Sequence, residues 1–88
     1  MLYNIKKAYG EIFMLNKILE IISIHLSIAV EELNEEMTFI ELNMDSLNLM
    51  KIIMGIENVF DIHIEDFEIV ELRTISDIAD LCVRKVSF

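Results

Sequence analysis

Ser46 is the residue best placed to do chemistry in this chain. It follows Asp45 and precedes apolar residues at helical spacing, so it falls at a helix start. A helix N-terminus leaves backbone N–H groups without partners, and its dipole favours negative charge. A serine hydroxyl there is well placed to carry a phosphate ester. The plain alternative is an N-cap, because Asp and Ser are both preferred at that position. Nothing activates Ser46 as a nucleophile: no Gly-x-Ser-x-Gly elbow surrounds it and no base partner is evident. No catalytic constellation is read around Ser46, and the chain is not expected to be an enzyme.

The remaining reactive side chains have structural readings. His25 and His63 lack a second ligand at metal-binding spacing. His25 is expected to pack at the edge of an apolar face, and His63 to sit in a loop. Glu31, Glu32, Glu35 and Glu36 form an acidic cluster that reads as solvated loop rather than cation site. Cys82 is the only cysteine, which leaves no internal disulfide and suits a buried small hydrophobe. No metal is expected.

Bulk composition narrows the class. The chain has 88 residues, 55% of them apolar, which suits one small folded domain spanning residues 1–88. There is no proline and there are two glycines, so helices are the natural elements. The net charge of −9 argues against nucleic acid and for partners with basic docking patches. No run approaches the ~20 apolar residues of a membrane span. Lys6 and Lys7 precede an apolar region, but Glu11, Lys17 and Glu20 interrupt it, so no export signal is read. A cytoplasmic monomer is expected.

These elements must position Ser46. The spacing predicts a first helix from near Gly10 to His25, with Leu15, Ile18, Leu19, Ile22 and Leu26 on one face. Residues 1–9 either extend it or fray. Residues 27–44 lack a clean period and read as a long loop, pinned by Val30, Leu33, Met37, Phe39 and Leu42. A second helix begins at Asp45-Ser46. Leu49, Ile52, Ile53, Ile56, Val59 and Phe60 form its core sector, and Leu47, Met50, Met54, Glu57 and Asp61 lie opposite with Lys51 beside them. A short helical turn follows near Asp66 to Val70. A last helix starts near Thr74, with Asp77 three residues on as a capping box, and buries Ile75, Ile78, Ala79, Cys82 and Val86. The fold class is all-α: a small bundle of three main helices and one short one, with a long loop after the first.

The run Phe39-Ile40-Glu41-Leu42-Asn43-Met44-Asp45-Ser46-Leu47 resembles the attachment motif of acyl and peptidyl carrier proteins, commonly Phe-x-Glu-Leu-Gly-x-Asp-Ser-Leu. The resemblance continues through Phe60-Asp61-Ile62-His63-Ile64 and Leu72-Arg73-Thr74-Ile75-Ser76-Asp77, and spans residues 17–86. It implies that a phosphopantetheinyl transferase moves 4′-phosphopantetheine from coenzyme A to Ser46, with Asp45 helping to present the site. It also implies that Leu47, Met50, Lys51, Met54 and Glu57 form a docking face for acyl-transfer, synthase or adenylation enzymes. The expected function is carriage of acyl groups as thioesters for fatty-acid or polyketide-like synthesis. An aminoacyl or peptidyl carrier, for nonribosomal-peptide-type synthesis or D-alanylation, is the near alternative, and an unmodified helical adaptor the distant one. Asn43 replaces the family's glycine, but Asn tolerates the left-handed backbone that the turn needs. Lys51 and Asn48 stand where many fatty-acid carriers place acids, and Glu65 where proline is common.

Overall fold

In the computed structural model, residues 2–86 are described, with side chains from residue 4 onward. The described residues form four α-helices in order: α1 (Leu2–Leu26), α2 (Ser46–Phe60), α3 (Asp66–Ile69) and α4 (Ile75–Lys85). A 3-10 turn at Val30–Glu32 interrupts the long connection between α1 and α2. The all-helical class and the short third helix agree with the sequence pattern.

α1 is the spine, and both α2 and α4 pack on it. Its buried residues, Met14, Ile18 and Ile22, recur every four positions and form one stripe. Leu15, Leu19 and Leu26 pack beside that stripe, partly buried. Met14 lies outside the apolar face that the spacing predicts, which is centred on the Leu15 side. Flanked by two helices, α1 buries a wider arc than a single neighbour requires. Gly55 lies where α2 meets α1: a Cβ there would stand 3.4 Å from Ile21 Cγ2.

α2 contributes Ile52, Ile53 and Ile56, and α4 contributes Ile75, Ile78, Leu81 and Cys82, with Ile64 between the two helices in sequence. Burying a branched aliphatic side chain is worth about 1.5–3 kcal/mol, so this aliphatic set dominates the fold's cohesion. Leu81, absent from the expected face, is buried, while Ala79 and Val86 are only partly so.

Of the two readings open for the first residues, extension of α1 and fraying, the helical backbone from Leu2 bears out extension over residues 2–9. Two expectations are corrected. Val59, assigned to the core sector, is 52% exposed, because no neighbouring element covers that edge of the last turn of α2. His25, expected to pack, is exposed at the last turn of α1.

With so few glycines, polar residues end the elements. Ser27, Asn43 and Asp61 adopt positive φ, near +55° in each case. Ser27 follows α1, and Asp61 is the left-handed cap of α2, its N–H donating to the Glu57 carbonyl. Thr74 caps α4: its hydroxyl accepts from the Asp77 amide at 3.0 Å, and Asp77 Oδ2 accepts from the Thr74 amide at 3.1 Å. This is the capping box that the sequence predicts.

Candidate functional site

The site is assembled by the end of the long loop. Residues 38–44 close a compact turn: the Leu42 amide donates to the Thr38 carbonyl at 3.1 Å and the Met44 amide to the Phe39 carbonyl at 2.9 Å. Asn43 sits inside it with φ 55°, the left-handed backbone expected from its place in the motif. Leu42 and Met44 pack against the core while Ile40 projects, 91% exposed.

A second anchor ties the loop to the start of α4. Thr38 and Thr74 pair as an isolated antiparallel bridge. The Phe39 amide donates to the Arg73 carbonyl at 2.9 Å, the Ile75 amide to Met37 at 3.2 Å and the Ser76 amide to Glu35 at 2.8 Å. Sequence reasoning missed this clamp, since backbone pairs leave no side-chain signature.

The chain then enters α2. Asp45 is the N-cap, extended at φ −87° and ψ 174°, and its side chain accepts from the Asn48 amide. The first helical backbone bond is Leu49 to the Asp45 carbonyl, at 3.0 Å. Ser46 is therefore the first residue of α2 and not its cap, and its side chain is exposed. Its own amide and that of Leu47 precede the helical ladder and point out of the helix end. An exposed hydroxyl beside free amides and the positive end of a helix dipole fits a phosphodiester.

Along α2, Leu47 (63% exposed), Met50 (41%) and Met54 (58%) recur three and four residues apart and open to solvent on the Ser46 side. Lys51 is exposed beside them. Glu57 is different. Its Oε2 accepts the Ile64 amide at 2.9 Å and lies 3.2 Å from His63 Nδ1, so its carboxylate is engaged in holding the segment after α2. Its side chain is 23% exposed, so Glu57 stands apart from the open face of Leu47, Met50, Lys51 and Met54. His63 itself lies between Glu57 and Glu65, its Nε2 3.2 Å from Glu65 Oε1.

Cys82 is buried, and burial pushes its thiol up to about 11, opposed weakly by Lys85, so it is not a thiolate near neutrality. Glu31, Glu32, Glu35 and Glu36 are exposed. Among the described residues no group of three His, Cys, Asp or Glu side chains converges to hold a metal. No described helix is long and apolar enough to cross a membrane.

Comparison with known proteins places this geometry in context. Residues 16–82 match the family model described as phosphopantetheine attachment site. The chain is 36% identical over 75 residues to an acyl carrier protein of Thermosynechococcus vestitus, covering 84% of this chain and 93% of that one. It is 38% identical over 74 residues to an acyl carrier protein of Syntrophus aciditrophicus, covering 82% and 92%. The crystal structure of an acyl carrier protein from Thermotoga maritima superposes with a TM-score of 0.74 at 33% identity, covering 85% of this chain and 88% of that one.

Proposed function

Because the chain belongs to the acyl carrier protein family, whose covalent cofactor is 4′-phosphopantetheine, we propose that Ser46 bears that arm and that the protein carries acyl intermediates on it for fatty-acid or polyketide-like synthesis. One observation supports this most directly: Ser46 is an exposed hydroxyl at the first position of α2, with Asp45 already performing the cap. When bound, the arm supplies a terminal thiol that forms thioesters. The protein's own residues hold its base. The amides of Ser46 and Leu47 would hold the phosphodiester, and Asp45 fixes the helix start and presents the site to the phosphopantetheinyl transferase.

The exposed Leu47, Met50 and Met54 side chains, with Lys51, serve as the docking face for that transferase and for acyl-transfer and synthase enzymes. An exposed apolar patch flanked by polar residues is the usual form of an interaction surface. Basic patches on those partners would be steered by the net charge of −9. Residues 1–88 act as one carrier unit in the cytoplasm and do no catalysis of their own. The named acyl carrier relatives favour acyl over aminoacyl cargo.

The test is intact mass after incubation with coenzyme A and a transferase of broad specificity. The mass should rise by one phosphopantetheine, and Ser46→Ala should abolish the rise. Modification at another residue, or none with several transferases, overturns the reading.

A further inference from the structure

The open face of α2 has a serine at one edge and a cation at the other. At about 100° per residue, Ser46, Met50, Met54, Leu47 and Lys51 follow one another in that order across an arc of about 140°. All five side chains are exposed, while the buried Ile52, Ile53 and Ile56 lie outside that arc. Three apolar side chains thus separate Ser46 from Lys51.

Lys51 and Glu57 are the only charged residues of α2. Glu57 accepts the Ile64 amide and faces His63 Nδ1 at 3.2 Å, so its carboxylate is drawn to the segment after the helix. Lys51 enters no ion pair among the described residues. The acids that precede Ser46 most closely in the chain, Glu41 and Asp45, stand before the helix, and Asp45 is occupied by the Asn48 amide. Asp61 falls on the same arc, but about 15 Å beyond Lys51 along the axis. In a chain of net charge −9, the face beside Ser46 therefore presents a cation that no described acid answers.

An enzyme that transfers a group to the Ser46 hydroxyl must bring its reacting atoms to that oxygen. A standard contact covers about 800 Å² on each partner, a disc roughly 16 Å in radius. Lys51 is five residues on, about 7.5 Å along the helix axis, so it falls inside a footprint centred on Ser46. An ammonium left without a partner inside such a contact is costly. We propose that the phosphopantetheinyl transferase acting on this chain places a carboxylate opposite Lys51, at the edge of an apolar pocket for Leu47, Met50 and Met54. The apolar side chains alone would let the enzyme roll about α2, and an ion pair at the far edge fixes the rotation that turns Ser46 into the active site. Lys51 is thus a positioning residue and touches no reacting atom. This inference rests on the carrier reading and deepens it: the net charge draws a basic surface from a distance, and Lys51 selects one acid at the contact itself.

Steady-state transfer from coenzyme A tests the proposal, with the transferase of the same organism and with one of broad specificity, and with intact mass to confirm modification at Ser46. With the transferase of the same organism, Lys51→Gln should raise KM about tenfold, between the worth of an exposed and of a buried charge pair. Lys51→Glu should raise it further, Lys51→Arg should restore it, and the effect should fall on KM more than on kcat. All three variants should melt like the parent. Changing the answering acid of the transferase to Lys should recover Lys51→Glu. A KM indifferent to Lys51→Gln, or one lowered by Lys51→Glu, overturns the proposal while modification of the parent upholds the carrier reading. A parent that neither transferase modifies overturns both.

Discussion

The Asn48 backbone amide donates to Asp45 Oδ1 at 2.7 Å. That bond makes Asp45 the cap of α2 and leaves Ser46 outside the cap. Replacing Asp45 with Ala should cost about 1 kcal/mol of stability, the usual worth of an N-cap. Asp45→Ser should keep most of that stability, since serine caps nearly as well. Chemical denaturation of the two variants, beside their rates of phosphopantetheine transfer, separates fold from presentation. If Asp45→Ser is stable yet poorly modified, the carboxylate acts on the transferase; if both variants are modified normally, Asp45 is only a cap.

Met54 and Ile56 stand two residues apart on α2 and face opposite environments, 58% and 0% exposed. Ile56→Ala should lose about 2–5 kcal/mol, as buried aliphatic truncations do. Met54→Ala should change stability by no more than about 0.5 kcal/mol. The Met54 variant should nevertheless be a slower substrate for the transferase. Melting curves and transfer rates on both decide the matter, and a Met54→Ala variant that unfolds while Ile56→Ala does not would reverse the assignment of faces.

Glu68 joins α3 to α4. Its Oε1 lies 2.8 Å from Lys85 Nζ and accepts the Glu65 amide at 2.9 Å. The hydrogen bond from Lys85, and after it the bond from the Glu65 backbone, hold this carboxyl below its ordinary value of 4.5. A carboxyl depressed by folding contributes stability that is present above that ordinary value and is lost as pH falls through the folded one. The parent should therefore exceed Glu68→Gln in stability at neutral pH, with the difference shrinking below pH 4.5. Urea denaturation of both proteins at a series of pH values measures the gap; a gap that is constant down the acid limb would show that the pair contributes nothing through its charge.

Much of this was legible in the sequence because side chains announce it. Thr74 and Asp77 have the spacing of a capping box, Asn43 replaces glycine at a left-handed turn, and Asp45-Ser46 opens an apolar run. The first turns of α1 were harder, because no buried stripe runs through residues 4–9 to set a period. Val59 shows the opposite failure. Its position on the helical wheel is apolar, but a wheel does not say where the neighbouring helix stops. The sequence places Glu57 on the docking surface because its donor, the Ile64 amide, lies seven residues on and belongs to the backbone. The contacts that escaped are those in which main-chain groups find each other across the fold.

The clamp between residues 35–39 and 73–76 has a consequence for how the protein is made. Thr38 precedes α2, and Thr74 opens α4, so the strands of the clamp meet only after α2 and α3 have been synthesised between them. Closing so long a loop costs chain entropy that local helix formation does not. During synthesis, α1 and α2 can dock while the loop leading into Ser46 still lacks its second anchor. The serine's seat is finished when α4 arrives, so a transferase that reads the folded loop as well as the helix distinguishes completed chains from nascent ones.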